Sequence, residues 1–90
     1  MTRKTKPDPI RLGIAWQDSA MMQIGKGGIS DGLVKEAKRL LNKHKYIKVR
    51  LLRSAMTEGG SREETFQMLC SDTGAQLAGI RGNTAVLYRL

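Results

Sequence analysis

Ninety residues, with 16 Lys and Arg against 8 Asp and Glu and a formal net charge of +8, describe a small and strongly basic chain. Its length allows one modest core of three or four elements, and its charge suits a polyanionic partner, nucleic acid before an acidic membrane or protein surface. Cys70 is the single cysteine, so an intrachain disulfide is excluded; no run approaches the ~20 apolar residues of a membrane span, and the basic start lacks the apolar segment of a signal peptide, so a cytoplasmic location is expected.

In chain order, residues 1–7 read as a flexible basic leader in which Arg3, Lys4 and Lys6 are available for loose phosphate contact. Residues 8–90 read as one domain. Asp8 and Pro9 suit the cap and first position of a helix over residues 10–16. Ile10, Ile14 and Trp16 are its expected inward residues, and Gly13 weakens it by about 1 kcal/mol. Residues 20–24 form an apolar run too short for a stable helix and read as a strand. The loop Gly25-Lys26-Gly27-Gly28 follows, and then Ile29 and Ser30.

Ser30 is a suitable N-cap for a helix over residues 31 to about 44, with Ile29 and Val34 spaced for a hydrophobic staple. Leu33, Ala37, Leu40, Leu41 and His44 recur at three and four, giving one inward stripe, and Lys35, Lys38, Arg39 and Lys43 fall on the outward face. Residues 46–52 alternate: Ile47, Val49 and Leu51 on one side, Lys48 and Arg50 on the other, as in a half-buried strand. Ser61 and Glu64 form a capping box for a helix ending near Asp72 at the stop residue Gly74, with Phe66, Leu69 and Cys70 inward. Two apolar strands over 75–80 and 84–89, joined through Arg81-Gly82-Asn83, read as an antiparallel hairpin whose second strand is interior. The expected architecture is α/β, in the order α-β-α-β-α-β-β, with a four-stranded mixed sheet and helices packed on it.

The chain offers little for catalysis. His44, Cys70 and scattered acids supply no nucleophile–base set, and no cluster has metal-ligand spacing. The glycine loop lacks the Lys-Ser/Thr ending of a nucleotide P-loop and the spacing of a dinucleotide fingerprint. No enzyme activity, cofactor, metal or small-molecule substrate is therefore expected. A G-x-x-G loop between a strand and a helix is instead suited to a nucleic-acid backbone, as in KH-type modules. Gly25 and Gly28 have no Cβ to hold a sugar–phosphate chain away, the helix N-terminus donates N–H groups, and Lys26 adds charge. Such contacts position a strand without reading its sequence. The expected RNA-binding residues are Gly25, Lys26, Gly27, Gly28, Lys35, Lys38 and Arg39. A protein-interaction or scaffolding module, and a general nucleic-acid binder, are the competing readings; few aromatics argue against a single-strand stacking platform.

Four ordered stretches carry a family resemblance: Ile24-Gly25-Lys26-Gly27-Gly28-Ile29-Ser30-Asp31-Gly32-Leu33, Tyr46-Ile47-Lys48-Val49-Arg50, Thr73-Gly74-Ala75, and Gly82-Asn83-Thr84-Ala85-Val86-Leu87-Tyr88-Arg89. Together they resemble the chloroplast RNA splicing and ribosome maturation (CRM) domain, or YhbY-like family, over about residues 11–89. The resemblance implies a fold similar to the C-terminal domain of bacterial initiation factor three, and RNA binding through the G-x-x-G loop and its basic surroundings. It further implies a stand-alone member acting on ribosomal RNA or a precursor of the large ribosomal subunit, whereas multi-copy plant members act in group II intron splicing. Lys48 and Arg50 match the basic strand positions, without an RNA contact following from that match. The short first helix and the lack of a basic C-terminal tail depart from the family pattern.

Overall fold

The computed structural model describes residues 7–25, 28–52 and 62–89. In chain order these form α1 (Pro9–Gln17), β1 (Met22–Ile24), α2 (Asp31–His44), β2 (Tyr46–Leu51), α3 (Arg62–Thr73), β3 (Gln76–Arg81) and β4 (Thr84–Tyr88). The strands make one mixed sheet in the order β1-β2-β4-β3, with β1 parallel to β2 and the other neighbours antiparallel. β4 is interior, as its two apolar faces predict. Residues 1–6 of the expected leader, the loop over 53–60 and the Ser61 cap lie outside the described residues.

The period of two along β2 divides the molecule into three layers. Ile47, Val49 and Leu51 join Ile24, Ala85 and Leu87 in the main core, beneath Ala37 and Leu41 of α2 and Phe66, Leu69 and Cys70 of α3. The opposite face carries Tyr46, Val86 and Tyr88, covered by α1 through Leu12, Ala15 and Trp16. Thr73, the last residue of α3, is buried and donates its hydroxyl to the Leu69 carbonyl at 2.7 Å. That bond removes the cost of burying an unpaired polar group.

α1 departs from the expected orientation. Ile10 and Ile14 are 74% and 54% exposed, while Ala15 is buried. The helix has two apolar stripes, and the one bearing Trp16 and Leu12 covers more of the sheet, with the small Ala15 permitting close approach. The sheet itself fixes the helix at both ends. The Asp8 N–H donates to the Tyr46 hydroxyl at 2.6 Å, and Arg11 donates to the His44 carbonyl while stacking 5.0 Å from the Tyr46 ring centroid. At the other end, Lys48 Nζ donates to the Trp16 and Asp18 carbonyls at 2.8 and 2.9 Å. These are the orphan acceptors of a helix C-terminus, where a cation is also favoured by the helix dipole. Lys48 is thus committed to holding α1.

Boundaries shift modestly elsewhere. β1 begins at Met22 rather than at Ala20, and β3 extends through Arg81. The hairpin turn is Gly82–Asn83, with Gly82 at φ +60°, and a bulge lies between Leu77 and Gly79 of β3. Gly74 ends α3 at φ +71°, the left-handed conformation expected of a glycine stop. The buried thiol of Cys70 is held protonated, its pKa pushed up to about 11 by burial. A thiol whose folded pKa is raised contributes stability below its unfolded value, and that stability is lost as pH rises through the folded one. Folding stability should therefore carry no Cys70 dependence below pH about 8.5. Iodoacetamide should leave Cys70 intact at mildly alkaline pH until the chain is unfolded; rapid labelling of the native protein would contradict this burial.

Candidate nucleic-acid interface

The parallel pairing of β1 and β2 brings their C-terminal ends together. The Leu52 N–H donates to the Ile24 carbonyl at 2.9 Å, and the Leu51 N–H to the Asn83 carbonyl at 2.7 Å. The glycine loop, the start of α2 and the β3–β4 turn therefore share one end of the sheet. Within the loop, the Gly28 N–H donates to the Gly25 carbonyl at 2.9 Å, closing a tight turn. Lys26 and Gly27, its two central residues, lie outside the described residues.

The flanking glycines have different reasons to be glycine. Gly28 sits at φ +65°, where a side chain is strained. Gly25 has a negative φ, and an added Cβ would meet only Leu52 Cδ1 at 3.9 Å, an ordinary contact. Among the described residues, neither conformation nor packing requires a glycine at Gly25, and an added Cβ at Gly28 would meet nothing within 4 Å. Among the described residues, the space in front of Gly28 is open.

Ser30 caps α2 by accepting the Leu33 N–H at 3.2 Å, and Asp31 stands in the first turn. The expected cations of α2 are all exposed, but they are not equivalent. Arg39 makes a two-pronged pair with Glu36, its shorter contact 2.6 Å. This hydrogen-bonded partner holds the Glu36 carboxyl below its usual range and raises the Arg39 guanidinium above its own. Lys35 and Lys38 show no ion pair among the described residues. They lie about 6 and 10 Å along the helix axis from Asp31, on one face. Lys35 and Lys38 thus share one face of the helix that follows the glycine loop, with Arg39 partly neutralised.

Other cations are committed elsewhere. Lys48 and Arg11 secure α1, and Arg62 donates to the Gly82 carbonyl and Asn83 Oδ1 at 2.8 and 3.0 Å, tying α3 to the hairpin turn. Arg50 is exposed at the glycine-loop end of β2, and Arg81 lies 4.4 Å over the centroid of the Trp16 ring. The sequence shows Arg50 as an outward strand residue, but its neighbours come from pairing with distant strands. Among the described residues no group of His, Cys, Asp or Glu could hold a metal ion, and no helix is long and apolar enough to cross a membrane.

The architecture is a mixed four-stranded α/β sheet with a glycine loop leading into a capped helix. The chain belongs to the CRS1 / YhbY (CRM) domain family, which it matches over residues 13–89. It is 30% identical over 69 residues to the Bacillus subtilis protein named "Probable RNA-binding protein YqeI", covering 77% of this chain and 69% of that one. It is 32% identical over 66 residues to "Probable RNA-binding protein PA4753" of Pseudomonas aeruginosa, covering 73% of this chain but 61% of the relative. Among solved structures, it is similar to that of the Staphylococcus aureus hypothetical protein SAV1595, proposed to bind RNA. The TM-score is 0.71 and the identity 27%, over 87% of this chain and 78% of that one.

Proposed function

We propose that this protein binds RNA without acting on it chemically, and that its target is ribosomal RNA or a precursor of the large ribosomal subunit in the cytoplasm. The RNA backbone lies against the loop Gly25-Lys26-Gly27-Gly28 and continues along Lys35, Lys38 and, more weakly, Arg39. The observation that carries this reading is Gly25: among the described residues a side chain there would meet only an ordinary contact with Leu52 Cδ1 at 3.9 Å, so the described fold does not call for glycine, and the loop it opens leads into the capped start of α2. Membership of the CRM family and the names of the two relatives support RNA as the polyanion. Glycines let a sugar–phosphate chain approach the peptide backbone, and the lysines add charge without base specificity.

The test is fluorescence anisotropy with structured ribosomal RNA fragments and with duplex DNA of similar length, over a salt series. RNA is expected to bind more tightly. If about five phosphates are neutralised, log K should fall with log salt at a slope of roughly −3.5 to −4.5. Affinity insensitive to salt would refute the phosphate-based reading. Crosslinking in cells, followed by sequencing of the attached RNA, identifies the target; recovery of messenger RNA alone would refute the ribosomal assignment. Co-sedimentation with ribosomal particles that survives ribonuclease would point to protein contacts instead.

A further inference from the structure

The sheet register assembles a polar row that no single stretch of sequence contains. Gln23 pairs with Arg50, Arg50 with Thr84, and Thr84 with Arg81, one residue from each of the four strands. Burial of the alternate residues turns all four side chains toward the face that bears α1, away from α2 and α3. With strands about 4.8 Å apart, the row spans roughly 14 Å. α1 covers the next positions, Tyr46, Val86 and Tyr88, but stops short of this row. A shallow depression remains, lined by Ser19, Ala20, Lys48, Arg50, Asn83 and Thr84, with no carboxylate among the described residues that line it.

Two features make the row more than a solvated edge. The Arg50 side chain is exposed and makes no hydrogen bond or ion pair among the described residues. The Arg81 guanidinium lies over the Trp16 ring, 4.4 Å from its centroid, Trp16 is itself packed against the sheet, and Arg81 remains exposed. A guanidinium placed in this way offers its outer face to an unpaired base, a recurrent means of binding single-stranded RNA. The row also lies at the same end of the sheet as the glycine loop, joined to it through the paired ends of β1, β2 and the hairpin turn.

We propose that this row is a second RNA-contact surface, which takes a single-stranded segment leaving the glycine loop on the side opposite α2. Arg50 meets a phosphate, Arg81 on Trp16 stacks a base, and Gln23 and Thr84 supply hydrogen-bonding groups between them. The inference rests on the RNA reading above and deepens it: the ligand is RNA with an unpaired segment, such as a loop, a bulge or an end. A regular duplex keeps its bases stacked and cannot use Arg81.

The test compares wild type, Arg50→Gln, Arg81→Lys, Arg81→Gln and the double variant R50Q/R81Q. The probes are a labelled single-stranded oligoribonucleotide of mixed sequence and a blunt RNA duplex of the same length. Arg50→Gln should weaken single-strand binding and flatten the log–log salt slope by about 0.7. Arg81→Lys should leave the slope unchanged while lowering affinity at least about fivefold, because charge is kept and the stack is lost. The double variant should lose at least about tenfold on the single strand and much less on the duplex.

Unchanged single-strand affinity in the double variant, with Gly25→Asp still weakening binding, would remove the row while leaving the loop in place. A wild type that binds neither probe would instead overturn the RNA reading itself. Should the Arg81 variants fail to fold, photo-crosslinking of wild type to a thiouridine-substituted oligonucleotide decides. Adducts at residues 16–23 and 81–84 are expected, and adducts confined to 25–39 would overturn the row.

Discussion

Gly25→Asp is expected to lower RNA affinity by about tenfold to a hundredfold while leaving the fold intact. The first half follows from loss of charge-assisted backbone–phosphate hydrogen bonds worth about 1.5–3 kcal/mol together, with a carboxylate placed where a phosphate would lie. The second follows from the geometry. Gly25 has a negative φ, and among the described residues only Leu52 Cδ1 stands near an added Cβ, so a side chain fits there without strain. Stability should change by no more than about 0.5 kcal/mol, as for substitutions that disturb neither packing nor backbone. Gly25→Ala separates the two causes, since it adds bulk without charge. Gly28→Asp should also weaken binding, but with a stability cost of about 1 kcal/mol, because Gly28 sits at φ +65°. Anisotropy on RNA alongside thermal melting reads both quantities. A folded Gly25→Asp protein with wild-type affinity would remove the loop from the interface.

Tyr46→Ala should have the largest effect on stability, a loss of about 3–5 kcal/mol against the 5–15 kcal/mol typical of a small domain. Tyr46 is buried and stacks on Tyr88 with ring centroids 5.9 Å apart. Its hydroxyl accepts the Asp8 N–H, and its ring carries the Arg11 guanidinium. Removing the side chain therefore opens the smaller core and frees the start of α1 together. Tyr46→Phe keeps the stack and loses only the hydroxyl contact, so it should cost about 1 kcal/mol. Trp16 is the single tryptophan, and it lies on α1, so its emission reports undocking of that helix directly. In Tyr46→Ala, the Trp16 transition should come at lower denaturant than in wild type. Coincident transitions in the two proteins would show that Tyr46 does not hold α1.

The elements with a strong period were legible in the sequence. The alternation over 46–51 and the stripe of Leu33, Ala37 and Leu41 each have one burial solution, and the structure adopts it. α1 was legible as a helix but not in its orientation, because Ile10 and Ile14 compete with Leu12, Ala15 and Trp16. Only the shape of the sheet face decides between them. Its placement opposite α2 and α3 depends on the same tertiary fit. At the candidate interface, the glycine loop and the lysines of α2 are local and could be read directly. The engagement of Lys48 with the end of α1 could not, and neither could the alignment of Gln23, Arg50, Thr84 and Arg81. Both arise from strand register, which joins residues far apart in sequence.

The interior position of β4 has a consequence for the order of assembly. β1, α2 and β2 form a contiguous unit, and β3 and β4 form a hairpin, and of the two hairpin strands it is β4 that pairs with β2. The sheet is complete only when the last of its strands docks on β2, a closure between distant parts of the chain that local propensity does little to hasten. Until then, β2 presents an unpaired apolar edge. Early folding is thus a race between hairpin docking and intermolecular strand pairing, and residues that speed formation of the Gly82–Asn83 turn favour the productive outcome.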